Sequence, residues 1–214
     1  MNGSWRLVVA ALNCVARGSI PPRAALRLVP LAGIVLGLGG ACVYWLGAQL
    51  WPTSVALMLA MLATVSIAPP EAATGNGVIY RVFFLIIKYN ALMALSSAKL
   101  PFSLPEHLTL GLVMVAGQAA SRALVVSVMS SSGPAAIGMT AADLAVAMIV
   151  GLAPAALLGI PGLIGLAAAI AVRLARTSSV LPGNALPCAE RLDVTQQLTE
   201  IGFYLGALAT WRFV

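Results

Sequence analysis

The sequence predicts an all-α fold, a polytopic integral membrane helix bundle of about six or seven transmembrane helices forming one domain over residues 1–214. Three observations lead there. Hydrophobic residues make up 61% of the chain and charged residues only 8%, whereas a soluble domain carries about 25% charged residues. Apolar runs close to the roughly 17–25 residues needed to cross a bilayer recur along its length. The basic residues lie at the ends of those runs instead of in one block. The net charge of +6 therefore reads as an orientation signal and not as a nucleic-acid surface.

Residues 1–30 form a cytoplasmic or interfacial N-terminal segment. Arg6 precedes an apolar run at 7–16, and Arg17 closes it without a small-x-small cleavage pattern. An interfacial or short membrane helix fits better than a signal peptide. The spans follow at 31–50, 53–68, 78–95, 108–129, 143–159, 161–174 and 199–214. The fifth and sixth are separated by Ile160-Pro161-Gly162, which reads as a tight turn. Arg6, Arg17, Arg23 and Arg27 precede the first span and place the N-terminus in the cytoplasm. The stretches 69–76, 130–142 and 173–197 then lie on the cytoplasmic side, and Lys99 and Arg212 on the other. Five or six spans would also satisfy the hydropathy. Gly33 and Gly37 make a GxxxG in the first span, which signals close helix packing. Cys14, Cys42 and Cys188 have neither disulfide nor metal spacing, and His107 is the single histidine.

Ionisable residues inside a span cost at least ~2.5 kcal/mol each at the centre, so they mark function by default. Arg81 and Lys88 are seven apart and share a face of the third helix. Arg122 follows Gln118 by four and sits beside Ser121. Asp193, Gln197, Glu200 and Tyr204 are spaced four, three and four, a single stripe on the last helix. Glu71 is the one carboxylate of the loop at 69–76. The expectation is one cluster near the cytoplasmic surface, drawn from Glu71, Arg81, Lys88, Arg122, Glu190, Asp193 and Glu200. Its cations suit phosphate or pyrophosphate, Arg through a bidentate fork and Lys as a point charge. For any one of these residues, snorkelling to headgroups or simple pairing is an equally good account.

These segments resemble the cobalamin synthase family, the adenosylcobinamide-GDP ribazoletransferases. The matching stretches are "LDVTQQLTEIGFYLGALA" at 192–209, "GQAASRALVV" at 117–126, "GNGVIYRVFFLIIKYNALMAL" at 75–95 and "RLVPLAGIVLGLGGACVYWL" at 27–46, with a fainter "ARGSIPP" at 16–22. They occur in the family's order over most of the chain. The resemblance implies a bacterial inner-membrane enzyme of cobalamin biosynthesis. It would join α-ribazole or its 5′-phosphate to adenosylcobinamide-GDP, release GMP and use Mg²⁺. It further implies Lys88 and Arg122 at phosphate; the spacing of the polar residues adds Arg81, Asp193 and Gln197 as substrate- or phosphate-binding residues. Glu200 matches a family glutamate and joins Glu71 and Glu190 as the candidate catalytic carboxylates, with Glu71 and Glu190 the candidate metal ligands. The chain departs from the family where Mg²⁺ should bind. The Asp-rich loop is cut to the stretch holding Glu71, and "NALPCAE" at 184–190 replaces a Gly-Gly-x-Thr-Gly-Asp element. Hence a second expectation, a degenerate paralogue that keeps the fold and binds a corrinoid or a membrane partner. A third, a small transporter component, finds no inverted repeat to support it.

Overall fold

The computed structural model describes residues 23–67, 75–97, 105–131, 139–178 and 188–211. All regular structure among them is helical. After a short turn at Arg23–Leu26 come α1 (Val29–Leu50), α2 (Thr53–Ile67), α3 (Gly75–Ser96), α4 (Glu106–Ser131), α5 (Ala141–Ala156), α6 (Gly159–Ser178) and α7 (Cys188–Trp211). Among the described residues four stretches are long and apolar enough to cross a membrane: Val29–Leu50, Val78–Ser96, His107–Ser130 and Gly159–Arg176. The helices in the Thr53–Ser66 and Ala141–Ala156 stretches are apolar but shorter. The expected N-terminal interfacial helix and the loop with Glu71 lie outside the described residues.

Helix boundaries follow local chemistry. Pro30 sits in the first turn of α1, where its missing N–H costs nothing. Trp51 is extended before Pro52 and ends α1, as the steric demand of proline on its predecessor requires. Thr140 caps α5 by accepting from the Asp143 backbone N–H at 3.1 Å, and its hydroxyl donates to the Asp143 carboxylate at 2.7 Å, a side-chain N-cap.

One boundary corrects the sequence reading. The break between the fifth and sixth helices falls at Leu157 and Leu158, ahead of Ile160-Pro161-Gly162. Gly159 has φ 62°, a left-handed conformation open to glycine. Pro161 belongs to the first turn of α6. Gly162 is needed for space, since a Cβ there would lie 1.9 Å from the Ala155 carbonyl oxygen. The stretch 173–197 is likewise less of a loop than expected. Arg173 and Arg176 belong to α6, and Asp193 and Gln197 to α7.

Glycine contacts and ion pairs give the direction of every helix. Gly33 meets Gln118 and Arg122 while Gly37 meets Val115, so α1 and α4 are antiparallel. Gly40 meets Ala60 and Gly47 meets Ala56, which reverses α2. Arg81 pairs with Asp193 and Lys88 with Glu200, so α3 and α7 run parallel. Ala147 packs on Val126 and Gly151 on Ala119 and Ala123, setting α5 against α4. Gly202 meets Val172 and Gly206 meets Gly165, setting α6 against α7. Leu192 near the start of α7 packs with Leu26 and Met129, so α7 starts at the end where α1 starts, and the seven helices alternate up and down, with α4 at the centre touching α1, α3, α5, α6 and α7. The GxxxG expectation holds, because a Cβ on Gly33 or Gly37 would come within 2.6 Å of α4 backbone.

Candidate functional site

A helix in lipid must satisfy its polar side chains internally. The short hydroxyls do so on their own helix. Thr64, Ser66, Ser96, Ser121, Ser127, Thr199 and Thr210 each donate to a carbonyl three or four residues earlier. Longer polar side chains cannot reach back in this way, and in the bundle interior five of them converge.

Glu200 is the hub and is only 2% exposed. Its Oε2 accepts from Lys88 Nζ at 2.6 Å. Its Oε1 accepts from Gln118 Nε2 at 2.7 Å and from the Tyr204 hydroxyl at 2.9 Å. Arg122 Nη1 donates to Gln118 Oε1 and, at 3.2 Å, to the Gln118 backbone carbonyl. The Gln118 amide can stand only one way round, with its oxygen to the guanidinium and its NH₂ to the carboxylate. It is a neutral relay between Arg122 and Glu200. Lys88 is 7% exposed, Arg122 4% and Tyr204 1%. Arg122 Nε is buried without a hydrogen-bond partner. Helices α3, α4 and α7 therefore share two cations, one anion, an amide and a phenol, an excess of one positive charge. Two glycines make room for it. A Cβ at Gly117 would lie 2.5 Å from the Tyr204 ring, and one at Gly33 would lie 2.9 Å from Arg122 Cδ.

Seven residues away on both α3 and α7, about 10 Å along the axes, lies a second pair. Arg81 Nε and Nη2 both reach Asp193 Oδ2, at 3.2 and 3.0 Å. This pair is part-exposed, with side chains 18% and 27% accessible.

The single surface cluster expected from the sequence is therefore two groups at two depths. Gln118 and Glu200 stand near the midpoints of α4 and α7, and Lys88, the partner of Glu200, lies two turns beyond Arg81. Of the predicted residues, Lys88, Arg122 and Glu200 meet in the inner group, and Arg81 and Asp193 in the outer one. Gln197 is half-buried on α7 and joins neither group among the described residues. Glu71 lies outside the described residues, as does the side chain of Glu190, whose backbone belongs to α7.

Two members were missed as site residues, Gln118 and Tyr204. Their signal was present in the four-residue steps from Gln118 to Arg122 and from Glu200 to Tyr204. Nothing in those steps tells that the two faces meet.

Among the described residues no group of three or more His, Cys, Asp or Glu could hold a metal ion. The one carboxylate in the inner group has both oxygens facing hydrogen-bond donors, one of them a cation. That donor set does not fit Mg²⁺. No protein-family profile, curated protein or solved structure matches the chain.

Proposed function

We propose that this chain is a bacterial inner-membrane protein of the cobalamin synthase type, with seven alternating spans and a cytoplasmic N-terminus. The alternating directions of the helices support the span count. Arg27, Arg81, Arg173 and Arg176 all belong to the bundle end where α1 begins, which supports the orientation. The observation that carries the family reading is the meeting of Lys88, Arg122 and Glu200. The resemblance singles out these three, and they sit in one buried network on three helices. Nothing in their sequence spacing requires that.

The activity this implies is attack by the α-ribazole hydroxyl on the phosphorus next to the cobinamide. A P–O bond forms, the pyrophosphate P–O bond breaks, and GMP leaves with the bonding pair while the hydroxyl proton goes to solvent. Residues of this chain would contribute by neutralising phosphate charge with Arg81 and Lys88, while Arg122 balances Glu200. The state of Glu200 favours the second reading, a paralogue that binds without turning over. Its two oxygens already accept three hydrogen bonds, so it is free neither as a general base nor as a metal ligand. We take a phosphate-binding, catalytically degenerate member as the best-supported reading.

The test is to give the purified protein adenosylcobinamide-GDP, α-ribazole and Mg²⁺ and to follow both GMP and ligand binding. Binding of adenosylcobinamide-GDP without GMP release is expected. GMP release above background would restore the transferase reading. No binding at all would remove both.

A further inference from the structure

Helix α3 is held differently from its neighbours. Of its membrane-length window 22% is buried, the same as for α6, against 39% for α1 and 78% for the central α4, and its buried apolar side chains Ala91, Leu92 and Leu95 all lie in the half after Lys88. Val82, Phe83 and Ile86 are exposed on it. Among the described residues two ion pairs tie it to α7, Arg81–Asp193 and Lys88–Glu200, at the same seven-residue spacing on both partners. A second cation stands behind Glu200. Arg122 is buried, makes no ion pair with a described carboxylate, and keeps Nε unpartnered. Only the Gln118 amide separates it from Glu200.

We propose that Glu200 is exchanged between Lys88 and Arg122, so that α3 acts as a gate that presents Lys88 and Arg81 to a phosphate-bearing anion. An unpaired carboxylate inside the bundle would forbid such an opening. Arg122 removes that obstacle, since Glu200 keeps a cationic partner in both states. The closed state leaves Lys88 and Arg81 neutralised, and the open state leaves them free for an anion. A phosphate-bearing ligand therefore has the differential affinity needed to shift the equilibrium. The apolar groove between α2 and α3, about 450 Å³ and lined in part by Met58, Leu62, Val82 and Ile86, shows that α3 is not closely packed on that side either. This inference rests on the phosphate-binding reading of the site but not on turnover, so an absence of GMP release leaves it standing.

Ala91 reports the gate. It lies one turn after Lys88 on α3 and is 3% exposed. The experiment places Ala91→Cys in a chain whose Cys14, Cys42 and Cys188 are replaced by Ser, and measures maleimide labelling of the purified full chain in detergent. Lys88→Met should raise the labelling rate about tenfold, the effect of a ~1.4 kcal/mol shift in the opening equilibrium. Inorganic pyrophosphate should raise it in the chain that retains Lys88. Arg122→Met should erase the pyrophosphate response while the helical circular dichroism stays intact. A rate unchanged by both Lys88→Met and pyrophosphate overturns the exchange. So does a Lys88→Met chain that fails to insert, because Arg122 would then have failed to take over Glu200. A rise with Lys88→Met but a flat response to pyrophosphate overturns the anion as the opener.

Discussion

Helices α4 and α3 are both long and apolar, yet the bundle holds them by opposite means. Helix α4 is gripped on several sides by small residues. Gly33 and Gly37 of α1 bring backbone onto backbone, and Gly151 of α5 lies against Ala119 and Ala123. Helix α3 lacks such a seam among the described glycines; it buries Ala91, Leu92 and Leu95 in the core at one end and reaches α7 through charge along the rest. The difference reflects the solvent. Lipid removes most of the hydrophobic reason for helices to associate, leaving close packing and polar contacts as the two available forces. A packed helix is fixed in place. A helix held by ion pairs can be released by whatever competes for the ions.

The contrast can be broken from the packed side first. Gly33→Leu should destabilise the protein by about 3 kcal/mol, read as a loss of thermal stability in detergent. Any Cβ there meets the Gln118 carbonyl oxygen at 2.6 Å, and backbone cannot rotate away. A small change would mean that α1 and α4 are not the fixed pair. On the polar side, Arg81→Gln should cost no more than about 1 kcal/mol, because the Arg81–Asp193 pair is part-exposed. A much larger loss in the same melting assay would move the anchor of α3 from the inner group to the outer one. Gly39→Ala should stabilise the protein by no more than about 1 kcal/mol, through helix propensity alone. A Cβ there meets nothing within 4 Å, although Gly40 next to it would touch Thr64 and Met114. Equal effects at Gly39 and Gly40 would show that helix propensity, not the α4 seam, sets the cost.

The sequence exposed the helical class, the order of the helices and the chemistry of the site to different degrees. Composition and apolar runs were enough for the class, and most helix positions followed. The α5–α6 break was misplaced because Pro161 and Gly162 look like a turn pair. The chain instead uses Pro161 inside a first helical turn and Gly162 for clearance, and spends its left-handed residue at Gly159. The stripe from Asp193 to Tyr204 was legible because period alone places it on one face. The matching seven-residue spacing of Arg81 and Lys88 was legible too. That the two spacings pair rung by rung, at two depths, depends on α3 and α7 being parallel neighbours, which is tertiary information. Gln118 was visible as a neighbour of Arg122, but its relay role appears only once Glu200 stands opposite.

The central claim is that Lys88 and Arg122 serve one carboxylate. It is tested most directly by a double-mutant cycle of Lys88→Met and Arg122→Met, with unfolding free energy measured in detergent. The account predicts mild single effects and a double loss that exceeds their sum by about 2 kcal/mol, within the range for groups sharing one network, with the excess vanishing when Glu200→Gln is added. Effects that add to within about 0.5 kcal/mol would contradict it.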